Sequence, residues 1–182
     1  NVGDFLTEVI APGSKLSFVS AYFTIYAYEK LKSQLDGIDH LRFLFGEPRF
    51  IQSIDPTKTN RREFQIEDDQ LVVPIRSRMT QKAIARECAN WIRAKVEIKS
   101  MVKPNFLHGK LYHTEKPNGV REAVMGSSNF TVSGLGLGNR NNIELNMVIQ
   151  DKRDLEDLET WFGDLWKDNT GLVEDVKEQV LK

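Results

Sequence analysis

His108, Lys110, Ser127, Asn129 and Glu144 are the residues of this 182-residue chain whose types and spacing allow concerted chemistry. Most lie in "LHGKLYHTEKPNGVREAVMGSSNFTVSGL", Leu107 to Leu135, and Glu144 follows shortly after. Side chains alternate across a strand, so His108, Lys110 and Tyr112 are expected on one face and Leu107, Leu111 and His113 on the other. The same alternation puts Ser127 with Asn129 at the end of the next strand. In "NNIELNMV" it sets Asn142, Glu144 and Asn146 opposite Ile143, Leu145 and Met147. Converging, these polar faces assemble an imidazole, an ammonium, an amide, a hydroxyl and a carboxylate. Phosphoryl transfer without a metal needs such a set: donors for the nonbridging oxygens and a nucleophile that works near neutral pH. Lys110 and Asn129 are the expected phosphate ligands, with Ser127 beside them, and His108 is the expected nucleophile. Glu144 or Glu115 is the expected carboxylate partner of the imidazole. No metal or other cofactor is expected.

The stretch resembles the signature of the phospholipase D-like superfamily. His108-Gly109-Lys110 is followed after four residues by Glu115, where the family has Asp, and then by Gly126-Ser127-Ser128-Asn129. Glu144 is similar to the downstream acidic residue that supports the family's histidine. The resemblance implies an α/β fold, the α-β-α sandwich with a mixed, mostly parallel sheet flanked by helices. It also implies a phosphodiesterase acting through a covalent phosphohistidine, in which a second histidine from a second motif protonates the leaving oxygen. One motif is present here. His40, in "DHLRF", has no lysine two residues on and reads as a strand-end residue, while His113 reads as packed. The second imidazole is therefore expected from another copy, in a twofold homodimer with both His108 residues at the interface. The single-motif form is similar to small bacterial nucleases and to modules of restriction enzymes and helicase-like proteins. A DNA nuclease is the expected function, with a covalently linked helicase domain as a further partner. The alternative is a non-catalytic phosphate-binding, DNA-binding and dimerisation module.

These residues need a scaffold to hold them. "KLSFVSAYFT" (Lys15 to Thr24) and "HLRFLFG" (His40 to Gly46) have strand composition, and helix formers between them stop at Gly37. Ile51 to Pro74 is polar and aperiodic and reads as a long excursion. Ile84, Cys88, Trp91 and Ile92 recur at helical spacing within Thr80 to Lys95, with Thr80 as the expected N-cap and Cys88 as a buried, inert thiol. Four further strands are expected at Val96–Met101, Phe106–Thr114, Glu122–Asn129 and Asn142–Gln150. A helix opened by Asp151 then carries Leu155, Leu158, Phe162 and Leu165. Residues 1–170 read as the domain, and 171–182 as a C-terminal helix or a linker toward a missing neighbour.

The composition agrees with one globular domain: 40% hydrophobic, 28% charged, 9% aromatic. One cysteine excludes an intramolecular disulfide framework. No apolar run reaches the roughly 18 to 20 residues of a membrane span, and no signal peptide is visible, so a soluble, cytoplasmic protein without membrane contact is expected. The start at Asn1 reads as an excised domain or a processed chain. The 25 Lys and Arg nearly cancel the 26 Asp and Glu, but unevenly along the chain. Lys58 to Lys110 holds twelve basic residues against six acidic, whereas Asp151 to Lys182 holds ten acidic against five basic. The basic stretch with Arg76, Arg78, Lys82, Arg86 and Arg93 is the expected phosphate-backbone contact.

Overall fold

Seven strands form a single sheet in the computed structural model, which describes residues 1–49 and 78–182. The excursion expected at Ile51 to Pro74 lies outside the described residues. The order along the chain is α1 (Val2–Val9), β1 (Lys15–Ser20), α2 (Ile25–Lys30), α3 (Lys32–Leu35), β2 (His40–Phe45), α4 (Arg78–Lys95), β3 (Val96–Met101), β4 (Lys110–Glu115), β5 (Arg121–Gly126), α5 (Val132–Leu135), β6 (Asn146–Ile149), α6 (Lys152–Trp166), β7 (Val173–Asp175) and α7 (Lys177–Leu181).

Across the sheet the strands run β6-β5-β4-β1-β2-β3-β7. The sheet is mixed, as expected, but it is not mostly parallel. Only β1–β2 and β2–β3 are parallel, and the other four pairings are antiparallel. Connection length explains the difference. Parallel neighbours need a crossover, which α2 and α3 supply between β1 and β2, and α4 supplies between β2 and β3. The link from β4 to β5 is a tight turn closed by Lys116 N–H to Val120 O at 2.9 Å, with Gly119 at φ 84°, and such a turn can join only antiparallel strands.

Helices cover both faces. On one face Leu16, Phe18, Leu41, Phe43, Phe45, Ile98, Tyr112 and Val124 meet buried residues from α1 to α5. The stripe of Ile84, Cys88, Trp91 and Ile92 on α4 is buried as its spacing requires. Burial pushes the Cys88 thiol up to about 12, which leaves it protonated at neutral pH. On the other face Val19, Leu44, Leu111, Ala123 and Ile149 pack under Leu155, Phe162 and Trp166 of α6. Asp151 caps that helix by accepting the N–H groups of Arg153 and Asp154 at 3.0 and 3.2 Å.

Several expected element boundaries shift: β4 starts at Lys110, β5 ends at Gly126 and β6 starts at Asn146. Helix α4 already includes Arg78, so Thr80 lies within it and is not its N-cap. The apolar stripe starts only at Ile84, and nothing before it forces a stop. At the other end, residues 171–182 form α7 preceded by an edge strand, with β7 antiparallel to β3 and Val176 buried. A three-residue strand with two acidic members, Glu174 and Asp175, has no readable strand signal.

Candidate active site

Strand register gathers the motif residues at one rim of the sheet. Lys110 opens β4 opposite Gly126 at the end of β5, and Gly126 faces Asn146 at the start of β6. The β1–β4 ladder ends at Val19 opposite Leu111, which brings Ser20 to the same rim. Four adjacent strands thus begin or end together, and the loops beyond them carry His108, Ser127, Asn129 and Glu144.

His108 sits in the exposed loop before β4 rather than within the strand. Its Nε2 lies 3.2 Å from the carbonyl of Asn105, which can only accept, so this nitrogen carries the proton in that contact. Neither expected carboxylate takes the imidazole. Asn105 is in turn a non-glycine residue at φ 56°, and its N–H points to Glu47 Oε2 at 3.4 Å. Sequence reasoning missed Asn105 and Glu47. Asn is a type that tolerates the left-handed region, but nothing local connects it to position 47.

Lys110 Nζ donates to the His108 carbonyl at 2.9 Å, which draws the ammonium to the rim. Tyr112 does not continue a polar face. It is fully buried against Phe18, and its hydroxyl donates to Ser128 O at 2.7 Å. Burial raises its pKa well above the usual phenol range, and the Glu144 charge adds to the effect.

Asn129 is anchored from the second sheet strand that reaches the rim. Its Oδ1 accepts the Ala21 N–H at 3.0 Å and lies 3.2 Å from the Ser20 hydroxyl. A backbone N–H only donates, so the amide orientation is settled and Nδ2 is the group left to donate. Ser20, which was not anticipated, is wholly buried and also accepts the Phe130 N–H at 2.9 Å.

Ser127 and Ser128 point opposite ways. The Ser127 hydroxyl donates to the Glu144 carboxylate and accepts the Leu145 N–H at 3.0 Å, while Glu144 also receives Asn142 Nδ2 at 3.3 Å. Ser128 turns inward, where its hydroxyl accepts from Asn146 Nδ2 at 2.9 Å. Glu144 therefore reaches the rim as a partner of Ser127. Strand β6 starts only at Asn146, and Ile143, Leu145 and Met147 all face solvent.

The motif glycine has a steric reason. A Cβ on Gly126 would come within 2.2 Å of Leu145 O and 2.8 Å of Asn146 Cα, both backbone atoms of the neighbouring chain segment. Gly126→Ala should therefore lower stability by about 1–3 kcal/mol, read as a reduced urea midpoint, because the β5–β6 pair must part to accept the methyl.

Glu115 is not at this rim. It ends β4, five residues and about 17 Å from Lys110, and it lies on the opposite face. There Arg121 Nε approaches it at 3.7 Å. The other two histidines are also elsewhere: His40 bonds Glu97 at 2.8 Å, and His113 is buried on the α6 side. On α4, Lys82, Arg86 and Arg93 are exposed along one stripe, while Arg76 lies outside the described residues. Trp91 and Trp166 are packed, whereas Trp161 faces solvent.

A family model described as "Cardiolipin synthase, PLD-like domain" matches residues 32–166, well over half of the chain. That span runs from α3 to the end of α6 and includes every motif residue at the rim. A search of curated proteins finds no match. No helix among the described residues is long and apolar enough to cross a membrane. With the motif gathered at one rim of an α-β-α sheet and a family match across its length, the chain belongs to the phospholipase D-like superfamily.

Proposed function

We propose that this chain is a metal-independent DNA nuclease that cleaves phosphodiesters through a phosphohistidine and works as a twofold homodimer. The observation that carries the reading is the convergence of His108, Lys110, Ser127, Asn129 and Glu144 on one open rim. Superfamily membership supports phosphodiesterase chemistry in general. The exposed stripe of Lys82, Arg86 and Arg93 supports a polyanionic substrate over a lipid.

In this mechanism Lys110 Nζ and Asn129 Nδ2 hold the nonbridging oxygens. A lone pair of His108 forms a bond to phosphorus as the bond to the leaving oxygen breaks. That oxygen takes a proton from the imidazolium of His108 of the partner subunit. Water then attacks phosphorus, passes a proton to that same imidazole and breaks the phosphorus–nitrogen bond, which restores both histidines. The open rim leaves room for a second copy. Exposed Leu145, Met147 and Met125 beside Glu144, on and next to the edge strand β6, offer it an apolar contact.

Plasmid and single-stranded DNA incubated with the protein in excess EDTA test the function, and light scattering at micromolar concentration tests the assembly. Cleavage by a dimer is expected. Binding without cleavage would mark a non-catalytic module instead, and full activity in a strict monomer would end the shared-site scheme.

A further inference from the structure

We infer that the chain has a second binding site, for a small oxyanion, on the sheet face opposite the one that carries Lys110. Two rows of side chains on neighbouring strands build it. His113, Ser17 and Arg42 are in register across β4, β1 and β2, and Glu115, Lys15 and His40 form the next row. Residues in register share a face, and here α6 covers that face with Glu159 and Phe162, enclosing a cavity of about 130 Å³. That volume suits a few waters or one small ion.

Two observations point to a ligand. The first is an orphaned polar atom. His113 is 5% exposed and is one of the residues lining the cavity, and its Nε2 lies buried without a hydrogen-bond partner. Buried ring nitrogens are costly to leave unpaired, so the position calls for a group that bonds to it. Burial also pulls the His113 pKa below its usual value, which keeps the ring neutral and able to donate through one nitrogen.

The second is how the charges are partnered. The cavity's carboxylates are already taken: Arg121 reaches Glu115 at 3.7 Å and Glu159 at 3.3 Å. His40 is held by Glu97. The two remaining cations have no carboxylate among the described residues. Arg42 donates to Ser17 Oγ at 3.0 Å and stacks on Phe162 at 4.9 Å, and Lys15 stands exposed at the mouth. A guanidinium, an ammonium, a hydroxyl and a neutral imidazole around a small space form a donor set for an oxyanion, either a phosphate or a carboxylate.

The site is independent of whether the chain cleaves phosphodiesters. Imidazole nitrogen NMR separates the two, because each histidine reports on its own place. The His108→Ala variant, which lacks the rim nucleophile, is titrated with sodium phosphate and with sodium acetate, each against sodium chloride at matched ionic strength. His113 signals should shift saturably with at least one of the two anions. Phosphate alone would identify a tetrahedral ligand, and acetate alone a carboxylate. Adding Lys15→Gln, at an exposed strand end where packing is not disturbed, should weaken that binding by about tenfold. His113 shifts no larger than those with chloride, or an affinity unchanged by Lys15→Gln, would overturn the site.

Discussion

His108→Ala should lose cleavage in EDTA by at least about 10⁴-fold while keeping its fold, since the residue is exposed in the loop before β4. The size of the loss follows from the scarcity of substitutes. A nucleophile is replaced cheaply only where a second one lies within reach. His40 is held by Glu97 at the start of β2, at the other end of the sheet, and His113 is buried on the opposite face. Water would have to attack directly, aided only by Lys110 and Asn129. The same variant measures how the site is shared. Mixed and re-equilibrated at equal amounts with wild type, it should leave about a quarter of the wild-type rate per total chain if each event needs both imidazoles, because random dimers pair two intact chains a quarter of the time. Self-contained sites would leave about half. A residual rate near wild type in the pure variant would remove His108 from the chemistry altogether.

Asn129 carries the second large effect, and two substitutions divide its roles. Asn129→Ala removes the Nδ2 donor and also the Oδ1 that receives the Ala21 N–H at 3.0 Å. The expected outcome is a rate loss of about a hundredfold or more, the usual result of deleting one oxyanion donor. A stability loss of about 1–3 kcal/mol should accompany it, from a main-chain donor left without its partner. Asn129→Asp keeps an oxygen for Ala21 and Ser20 but has no donor for phosphate. Its urea midpoint should stay closer to wild type while its rate falls at least as far. Lys110→Ala should give a rate loss of similar size. An Asn129→Asp protein within a fewfold of the wild-type rate would show that Nδ2 does not hold the substrate.

Much of the site was legible because its residues sit close together in the chain and strands impose a period of two. Lys110, Gly126 and Asn146 come to one rim because β4, β5 and β6 pair antiparallel in register, and the short turn between β4 and β5 is written in Lys116 to Val120. The helix stripe of Cys88, Trp91 and Ile92 was readable for the same reason, as a periodic pattern facing a core. Glu115 shows where such reading ends. Its spacing from His108 fits the family signature, yet that spacing carries it the full length of β4 and onto the other face, where it meets Arg121 instead of an imidazole.

What the chain alone determined was therefore local: the motif, its order, the amphipathic helices and a mixed sheet. The tertiary structure decided everything that depends on distant segments meeting. It set the proportion of antiparallel pairs, placed Ser20 and Ala21 under Asn129, and put Glu47 against the Asn105 N–H behind His108. It also left Leu145 and Met147 uncovered and enclosed His113 with Arg42. The physical reason is that periodicity and turn chemistry act over a few residues, whereas a hydrogen bond between positions 21 and 129 exists only once β4 has inserted beside β1.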